Sequence, residues 1–458
     1  MFCGCSTKFG SPPNTQTCPV CQGLPGVLPV INKTAFEHAL KAALALNCEI
    51  APITSFDRKN YYYPDLPKNY QISQNHQNLG VNGWIDLDVN ADTRRVRIWN
   101  VHLEEDAGKL EHPEDTGARH SAVDLNRTGT PLLEIVTAPD MCSADEAMAY
   151  MNSMASLLRY LAISDCKMEE GSIRFEAGIS VRPAGTEKLG NRVEVKNLNS
   201  MRAVYRAITF EIDRQIGELK AGGKIPSQTM LWDDARGVTE PMRSKEEAKD
   251  YRYFPEPDLV PVEISRQWLD ELRSQMPEFP AERRRRFISQ YALPAYDAGV
   301  IIENRPIADY FEQCISHGAP PKQAANWLMG EVMRELNERK LGIGQLQVTP
   351  HNLAALIKSV ADGEVSNLAA KEVFAEMAST GKPAQQIIEE KGFRQISDTS
   401  ALESAVRDAF AANPAALAEL KAGKTQTKGW FVGQVMKSMK GKANPKLVGE
   451  IIDKLMAE

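Results

Sequence analysis

Apolar and polar residues alternate in Ile85-Asp-Leu-Asp-Val89 and Val96-Arg-Ile-Trp-Asn-Val101, and the second run continues into His102-Leu-Glu-Glu-Asp-Ala-Gly-Lys109. Alternation with a period of two predicts strands that turn one face to a core, and the two runs together predict a β-hairpin. Two adjacent carboxylates, Glu104 and Glu105, then stand where the second strand ends. Because like charges repel, burying both carboxylates requires a cation or a basic partner between them. If neither is present, the two carboxylates are expected to remain exposed to water.

A second acidic stretch, Lys167-Met-Glu-Glu-Gly-Ser172, precedes another predicted hairpin. Apolar residues alternate with polar ones over residues 173–181, and again over residues 193–196 beyond a Pro-Ala-Gly loop. We expect the polar side chains of the two strands to share one face while the apolar side chains face a core. The expected polar face consists of Arg174, Glu176, Glu194 and Lys196.

Helical spacing dominates elsewhere. Helices are predicted over Thr34–Leu46, after a capping box at Ser143-Ala-Asp-Glu146, and from Ser200 to Gly222-Gly223. From about residue 265 strand signals fade, and further helices are predicted to start near Ser265, Pro280, Lys322, Pro350, Ser400 and Pro414. The pattern predicts an α+β fold, with antiparallel sheets and helices over residues 1–265, followed by all-α domains over 266–346 and 347–458.

Composition limits the class of protein. The chain has 458 residues, of which 43% are hydrophobic and 25% charged, as in an ordinary globular protein of two or three domains. No apolar run approaches the roughly 20 residues that span a bilayer, and the N-terminus lacks a secretory pattern, so we expect a cytoplasmic location. The net charge of −6 argues against non-specific coating of polyanions but leaves room for a local basic patch.

Four cysteines are clustered near the N-terminus, in Cys3-Gly-Cys5 and Cys18-Pro-Val-Cys21. Thiolates on two tight turns can close a tetrahedral zinc site, so this spacing predicts structural Zn²⁺. The alternative is four reduced thiols in a loop. Since four cysteine ligands leave no open coordination position, the predicted site is structural and not catalytic.

The acidic stretches, together with Glu194-Val-Lys-Asn-Leu-Asn-Ser200, predict a divalent-metal or phosphate-handling site. Mg²⁺ takes oxygen ligands and keeps several waters, so two or three carboxylates suffice. For any single carboxylate pair, a solvated turn is the alternative. The sequence has no P-loop and no Gly-x-Gly-x-x-Gly motif. The run Asn126-Arg-Thr-Gly-Thr-Pro131 could bind a phosphate through its hydroxyls and Arg127, or form a plain turn.

The C-terminal segment combines lysines with two aromatic residues, Trp430 and Phe431. A basic face with aromatic residues is typical of RNA binding, and a solvated helix face is the alternative. The lysines are Lys421, Lys424, Lys428, Lys437, Lys440, Lys442 and Lys446. The run Arg283–Arg286 favours a solvated helix face.

These motifs together resemble those of the B subunit of aspartyl/glutamyl-tRNA amidotransferase, the Gat complex. Matching runs follow one another in order along nearly the whole chain. They are Phe56-Asp-Arg-Lys-Asn-Tyr-Tyr-Tyr-Pro-Asp65, Tyr70-Gln-Ile-Ser-Gln74, His102–Lys109, Asn126-Arg-Thr-Gly-Thr-Pro-Leu-Leu-Glu-Ile-Val136, Lys167–Ser172, Lys196-Asn-Leu-Asn-Ser200, Asp250-Tyr-Arg-Tyr-Phe-Pro-Glu-Pro-Asp258, Asn326-Trp-Leu-Met-Gly330 and Val432-Gly-Gln-Val-Met436.

The resemblance implies a cradle-shaped catalytic domain over residues 1–265, a helical domain over 266–346 and a tail over 347–458 that grips tRNA. It implies that ATP phosphorylates the side-chain carboxylate of glutamyl-tRNA(Gln) or aspartyl-tRNA(Asn), and that ammonia then displaces the phosphate. Implied cofactors are ATP and Mg²⁺, besides the structural Zn²⁺. Implied partners are an amidase A subunit that releases ammonia from glutamine, a small C subunit, and the tRNA.

The resemblance also implies roles for individual residues. Glu105 and Glu194 match metal ligands, with Glu170 and Glu134 as near neighbours, and Lys68 matches a lysine that gates an ammonia passage. The C-terminal lysines match a tail that holds the tRNA elbow. The implied catalytic set is Lys68, Glu104, Glu105, Lys109 and Glu170, and the implied nucleotide-binding set is Arg127, Thr128, Lys196, Asn197 and Asn199.

Two departures from the family pattern are expected to matter. The family carries a strand with a Gly-Leu-Glu-x-His pattern ahead of the position of Met1, and this chain is expected to lack that strand with its Glu and His. In addition, Gly178 stands where the family pattern has Asn. Two other functions are compatible with the residues alone: a metal-dependent RNA hydrolase, and a non-catalytic zinc- and RNA-binding scaffold.

Overall fold

The computed structural model describes residues 1–89, 92–111, 120–242, 251–395, 399–421, 424, 426–439 and 443–457. Lys440, Lys442 and Asp250, which belong to predicted motifs, lie outside these residues. The chain divides into two compact units, Met1–Glu278 and Phe279–Glu458. Division into three domains at 265/266 and 346/347 stays a prediction.

Three helices of the first unit begin at serine residues whose side chains cap the helix, at positions that the sequence predicts. Ser143 Oγ accepts a hydrogen bond from Glu146 N, Ser200 Oγ from Ala203 N, and Ser265 Oγ from Trp268 N, each satisfying an otherwise unpaired backbone donor. The predicted helix starts are thereby confirmed. The helices are α1 (Lys33–Ala45), α2 (Ala144–Tyr160), α3 (Met201–Lys220) and α4 (Arg266–Ser274).

The strands of the first unit form several small sheets. The strands are β1 (Glu49–Ile50), β2 (Ile53–Thr54), β3 (Asp57–Asn60), β4 (Tyr70–Ser73), β5 (Gly80–Val89), β6 (Asp92–Glu105), β7 (Lys109–Glu111), β8 (Ala122–Asp124), β9 (Pro131–Thr137), β10 (Ala177–Ile179), β11 (Val193–Lys196), β12 (Gln228–Asp233), β13 (Val238–Pro241), β14 (Phe254–Pro255) and β15 (Val262–Glu263). The sheet orders are β1-β5-β6-β9, β10-β11-β12-β13, β14-β3-β4, β15-β2 and β7-β8.

The first predicted hairpin is confirmed as the antiparallel pair β5–β6, in which Ile85 faces Val96. Strand β9 pairs with the other edge of β6, and the register shifts between Ile98 and Asn100. Beyond that irregularity, His102 lies opposite Glu134 and Glu105 lies opposite Pro131. This register brings the acidic end of β6 beside an acid of β9.

The second predicted hairpin is confirmed as the antiparallel pair β10–β11, in which Gly178 faces Glu194. Two details differ from the prediction. β10 begins only at Ala177, so Arg174 precedes the strand, and its guanidinium donates to Asp106 Oδ2 at 2.7 Å. In addition, β11 and β12 are parallel, because the twenty-residue helix α3 connects them and returns the chain to the same end of the sheet.

The core of the first unit packs α1 and α4 against the sheets. Phe36, Leu40, Phe56, Ile72 and Leu103 are buried together in it. The N-terminal loop is held by reciprocal hydrogen bonds to a segment more than a hundred residues away. Asn14 Nδ2 donates to Val123 O at 2.9 Å, and Gln16 N donates to Asn126 Oδ1 at 2.8 Å.

The second unit is helical throughout its described residues, as predicted. One hydrophobic cluster extends from Phe287 to Ile388, and another from Leu402 to Ile452. The helices are α5 (Pro280–Tyr291), α6 (Ala295–Ile302), α7 (Arg305–Ser316), α8 (Pro321–Trp327), a π-helix (Leu328–Val332), α9 (Met333–Arg339), a 3₁₀-helix (Ile343–Gln345), α10 (Pro350–Ala361), α11 (Asn367–Thr380), α12 (Ala384–Lys391), α13 (Thr399–Ala412), α14 (Pro414–Lys421), α15 (Gln426–Ser438) and α16 (Pro445–Ala457).

The run Arg283–Arg286 is not wholly a solvated face. Arg283 is only 5% exposed, and its guanidinium pairs with Asp309 at 2.6 Å and with Glu312 at 2.5 Å. Arg286 also pairs with Glu312, at 2.6 Å. The prediction was wrong for these two arginines because α7 supplies acids opposite them, an arrangement that the local sequence of α5 does not indicate.

Candidate functional site

Three side chains that could hold a cation converge where β6 and β9 pair. His102 Nε2 lies 3.3 Å from Glu134 Oε2, and ligand atoms of His102, Glu104 and Glu134 lie within 4.8 Å of one another. His102 and Glu104 are two residues apart in one strand, so they project from the same face. The cross-strand register supplies Glu134.

Glu104 is the least satisfied member of this group. The residue is 5% exposed, and no hydrogen-bond donor of the described residues reaches its Oε2. Lys59 Nζ approaches that oxygen only to 3.9 Å. Burial raises the pKa of Glu104, and Lys59 opposes that rise. An ionised, buried carboxylate with an unpartnered oxygen is costly in free energy and would gain from a cation.

Glu134 has the opposite environment. Its side chain is half-exposed, and the hydrogen bond from His102 lowers its pKa. The other ring nitrogen, His102 Nδ1, lies 3.1 Å from Asn100 Oδ1, which orients the ring. Glu134 is therefore an anion that His102 holds in place beside Glu104.

Tyrosines enclose the group. The ammonium of Lys59 lies 5.2 Å from the centroid of the Tyr251 ring, and the rings of Tyr61 and Tyr251 meet edge to face at 5.9 Å. Burial, followed by the charge of Glu104, raises the pKa of Tyr253 to about 12. Burial and the charge of Glu104 thus keep the Tyr253 hydroxyl protonated near neutral pH.

Glu105, although adjacent to Glu104, has partners within the protein. It is 3% exposed, and its Oε1 accepts hydrogen bonds from Lys68 Nζ and, at 2.9 Å, from Ile72 N. Of the two predicted acids on β6, Glu104 therefore has the open oxygen, and Glu105 forms a buried ion pair with the predicted gate residue. A role for Glu105 as metal ligand stays a prediction.

Lys68 and Glu105 line one side of a pocket. The N-terminal loop supplies most of the remaining wall, including Phe2, Val20 and Val27. The ammonium of Lys68 also lies 5.0 Å from the ring centroid of Tyr70 and 5.7 Å from that of Phe2. The pair thus closes an otherwise largely apolar recess.

A second polar face consists of Glu176, which directly precedes β10, and of Glu194 and Lys196 of β11. Lys196 Nζ is 3.6 Å from Glu176 Oε1 and 3.7 Å from Glu194 Oε1. Burial and then the hydrogen bond with Glu194 raise the pKa of Glu176. Lys196 also contributes to the lowered pKa of Glu134, after the larger effect of His102. This contribution relates the second face to the group around Glu104.

Arg192 covers the position of Gly178. A Cβ at Gly178 would meet Arg192 Cδ at 3.0 Å, and the Arg192 guanidinium lies 3.4 Å from Glu194 Oε2. The side-chain amide that the family pattern places at this position is thus replaced by the aliphatic part of an arginine. The guanidinium of the same arginine places a positive charge beside Glu194.

The other predicted site residues have local partners instead. Lys109 Nζ donates to Glu111 at 2.8 Å, and Glu170 accepts from Lys167 at 2.7 Å. Asn197 Nδ2 donates to the carbonyl of Trp232 at 3.0 Å, while Asn199 is exposed. These interactions do not bring the four residues to the group around Glu104.

Arg127 and Thr128 belong to the turn that precedes β9. Arg127 donates to the carbonyls of Ala107 and Gly108 at 3.1 and 2.6 Å, so its guanidinium already braces this turn. Thr128 is buried, and no described residue provides a hydrogen-bond partner for its hydroxyl. The interpretation as a plain turn therefore describes Arg127 best, and a phosphate-binding role stays a prediction.

The four N-terminal cysteines come together as predicted. Cys3 Sγ and Cys21 Sγ are 3.3 Å apart, Cys18 Sγ and Cys21 Sγ are 3.6 Å apart, and all four sulfur atoms lie within 4.8 Å of one another. A tetrahedral Zn²⁺ with bonds of about 2.3 Å requires sulfur separations of about 3.8 Å. The donor set and spacing therefore fit Zn²⁺, and all eight cysteines of the chain are free thiols.

Two residues of the group were missed as site residues from sequence: His102 and Lys59. For His102 a signal was available, because residues i and i+2 of a strand share a face and Glu104 follows at that spacing. Lys59 comes from β3, a strand of another sheet, and its sequence carries no comparable indication.

The described helices include none with the length and apolarity that crossing a membrane requires. Two family models match the chain, the GatB/GatE catalytic domain over residues 1–270 and the GatB domain over residues 309–456.

Similar proteins cover nearly the whole chain, and each is named as the B subunit of an aspartyl/glutamyl-tRNA(Asn/Gln) amidotransferase. The protein of Moorella thermoacetica is 52% identical over 98% of this chain and 95% of its own length. That of Caldanaerobacter subterraneus is 52% identical over 99% and 94%. That of Brevibacillus brevis is 50% identical over 100% and 95%.

Proposed function

The chain belongs to the GatB family, and from that membership we propose that it is the B subunit of a glutamine-dependent tRNA amidotransferase. The enzyme converts glutamyl-tRNA(Gln) to glutaminyl-tRNA(Gln), and aspartyl-tRNA(Asn) to asparaginyl-tRNA(Asn). The observation that carries the proposal is the group of His102, Glu104 and Glu134, in which a buried carboxylate oxygen of Glu104 lacks a partner among the described residues. This group lies within the segment that the catalytic-domain model matches.

The chemistry requires an activated carboxylate. A carboxylate is a poor electrophile, so the γ-phosphoryl group of ATP is first transferred to the side-chain carboxylate, releasing ADP. Ammonia then attacks the carbonyl carbon of the acyl phosphate, inorganic phosphate leaves, and the new amide nitrogen loses a proton. Both steps crowd negative oxygens together, so the site must supply positive charge.

The residues present fit Mg²⁺. Glu104 and Glu134 would hold it as oxygen ligands, and when bound it would neutralise phosphate charge. His102 orients Glu134, and burial of Glu104, which is only 5% exposed, limits its contact with water. Lys59 approaches Glu104 to 3.9 Å, and Lys196 helps to lower the pKa of Glu134, so we assign these two lysines the binding of the acidic substrate group or a phosphate oxygen.

Ammonia delivery is assigned to the pair Lys68–Glu105. The pair lines an otherwise largely apolar pocket, and an uncharged molecule such as ammonia can cross apolar surroundings that exclude ions. Glu105 is additionally fixed by the backbone amide of Ile72. Movement of Lys68 would therefore open the barrier while Glu105 stays in place.

Partners and location follow from the same proposal. The ammonia would come from an amidase A subunit in a heterotrimer with a small C subunit, in the cytoplasm. The tail would bind the tRNA through exposed lysines around Trp430, which is 43% exposed beside the buried Phe431. Of these lysines, Lys421, Lys424, Lys437 and Lys446 are exposed.

The test is reconstitution. The chain is mixed with A and C subunits, ATP, glutamine and glutamyl-tRNA(Gln), and glutaminyl-tRNA(Gln) is measured. Glu104→Gln should abolish the product without weakening tRNA binding, while Glu49→Gln, at an exposed acid of the same sheet, should not. Absence of product from the unaltered chain would refute the function. RNA cleavage without ATP would support a hydrolase, and full activity of Glu104→Gln would refute the site.

A further inference from the structure

We infer that the four-cysteine loop is the positioning element for Lys68, so that the occupancy of the cysteine site controls whether Lys68 stays on Glu105. The inference rests on the proposed function for its consequence, the control of ammonia delivery. It concerns a contact between the loop and Lys68 that is independent of the reaction itself.

The contact is made by Gly23, two residues after Cys21. Gly23 has a φ of +60°, and a Cβ built on it would lie 2.6 Å from Lys68 Cγ and 3.5 Å from Lys68 N. Two carbon atoms that are not bonded to each other do not approach to 2.6 Å, so the loop backbone lies against the stem of Lys68 with no room for a side chain. The glycine is required both by its left-handed conformation and by this close approach.

Besides the ring of Phe2, which belongs to the loop and lies 5.7 Å from the ammonium, Lys68 is confined by elements that do not depend on the loop. Its ammonium meets Glu105, which Ile72 N holds at 2.9 Å, and lies near the ring of Tyr70. Tyr70 and Ile72 belong to β4. The wall formed by residues 20–23 is therefore the side from which Lys68 can be released without disturbing a sheet.

The position of Gly23 is coupled to the cysteines by short-range hydrogen bonds. Gln22 N donates to Cys18 O at 3.0 Å, Gly23 N to Val20 O at 3.1 Å, and Leu24 N to Pro19 O at 3.0 Å. These bonds make residues 18–24 one compact turn. The turn is tied to the chain around Cys3 where the sulfur atoms of Cys3 and Cys21 meet, which is the link that a bound Zn²⁺ would close.

It follows that losing the metal loosens the wall against Lys68. Lysine carries a long, flexible stem with large rotamer entropy, so removal of one wall populates conformers in which Nζ has left Glu105. Glu105 keeps its bond from Ile72 N. The chain would then stay folded, but Lys68 would no longer be fixed on Glu105, and the barrier to ammonia would no longer have a single conformation.

The loop offers a matched pair of substitutions. Gly23→Ala places a methyl group against Lys68 Cγ, whereas Gly26→Ala places one where nothing lies within 4 Å. Gly26 has a φ of +89°, farther from the left-handed minimum than Gly23, so its substitution carries at least as much backbone strain. A difference between the variants therefore reports the contact with Lys68 and not the strain.

The first readout is a ratio of two activities of the reconstituted complex, glutamine-dependent amidation and amidation with added ammonium chloride. Gly23→Ala should change the ratio by up to about a hundredfold, the effect of a misplacement of about 1 Å. Gly26→Ala should leave the ratio unchanged. Equal ratios in the two variants would overturn the inference.

The second readout needs no activity. In the full chain with ¹³Cε-labelled lysine and bound zinc, the NMR signal of Lys68 is assigned as the one that Lys68→Arg removes. It should shift in Gly23→Ala, stay in place in Gly26→Ala, shift when a chelator removes zinc, and return when zinc is added back. If Gly23→Ala does not fold, the inference is tested on the unaltered chain alone, by removing zinc and adding it back. A Lys68 signal that does not change with zinc refutes the inference.

The two readouts keep the inference separate from the proposed function. If the unaltered complex forms no glutaminyl-tRNA(Gln) while the Lys68 signal follows zinc, the proposed function fails and the positioning role stands. If product forms and the Lys68 signal ignores both zinc and Gly23→Ala, the function stands and the positioning role fails.

Discussion

Glu104 and Glu105 follow one another in β6, yet their carboxylates project to opposite faces and have opposite partners. Glu105 accepts hydrogen bonds from Lys68 and from the amide of Ile72. Glu104 is as deeply buried, but one of its oxygens has no donor within the described residues. Alternation along the strand thus divides one acidic dipeptide between a closed ion pair and a carboxylate with one unpartnered oxygen.

The first prediction concerns stability. Glu104→Gln removes a buried charge without adequate compensation and should raise the free energy of unfolding by about 1 kcal/mol near pH 8. Glu105→Gln deprives the partly buried Lys68 of its counter-charge and should lower the free energy of unfolding by about 1–3 kcal/mol. Urea unfolding of the isolated chain, without metal, measures both. Shifts of the same sign would contradict the opposite environments.

The second prediction concerns pH. Since burial raises the pKa of Glu104 in the folded chain, its contribution to stability is fully present below the ordinary value of 4.5 and is lost as pH rises through the raised folded pKa. The stability of the unaltered chain should therefore fall relative to Glu104→Gln across that window. Chemical unfolding of both from pH 4 upward, with magnesium chelated, checks the sign. A difference that does not vary with pH would refute it.

The third prediction concerns magnesium. A cation that binds only the folded state stabilises it by RT ln(1 + [L]/Kd), about 2.7 kcal/mol at a hundred times the Kd. Mg²⁺ should accordingly raise the melting temperature of the unaltered chain and of Glu49→Gln, and should have little effect on Glu104→Gln. Calorimetry with and without Mg²⁺ is the measurement. An equal rise in all three chains would place the cation elsewhere.

The fourth prediction concerns zinc. The chain purified without chelator should contain one zinc per molecule, and Cys18→Ser should lower that content and reduce the stability of the N-terminal loop. Cys142→Ser serves as control, because Cys142 is exposed and lies outside the four-cysteine group. Elemental analysis gives the stoichiometry. Unchanged zinc in Cys18→Ser would identify the group as four reduced thiols.

The fifth prediction concerns tRNA. Replacing the exposed residues Lys437 and Lys446 by alanine should weaken tRNA binding and reduce the dependence of log K on log salt by about 1 for each phosphate that is no longer paired with a lysine. Lys33→Ala is the control, since its side chain is 79% exposed on the first unit. Filter binding at several salt concentrations measures the slope. Equal slopes for all chains would favour a merely solvated face.

Local sequence patterns predicted most helix starts and both hairpins. The caps at Ser143, Ser200 and Ser265 locate helix starts because each is a hydrogen bond between residues three positions apart. The two hairpins follow from alternation. The parallel pair β11–β12 was not foreseen, since pairing across α3 joins segments that share no local pattern.

The site was foreseen only in part, for a similar reason. The resemblance implied that Glu134 is a near neighbour of the metal ligands Glu105 and Glu194, and the structure places it beside His102 and Glu104. The facing of His102 and Glu134 follows a register shift between Ile98 and Asn100 that the sequence does not indicate. Lys59 arrives from another sheet. Lys109 and Glu170 form ion pairs with neighbours in the sequence. The sequence alone does not distinguish such residues from those that meet residues of other strands in the folded chain.

The anchoring of the N-terminal loop imposes an order on biosynthesis. All four cysteines precede residue 22, whereas the docking partner of the loop, Asn126, is translated about a hundred residues later. At roughly 5–20 residues per second that interval lasts several seconds. During it the loop lacks the segment around Asn126 to which it is anchored in the folded chain.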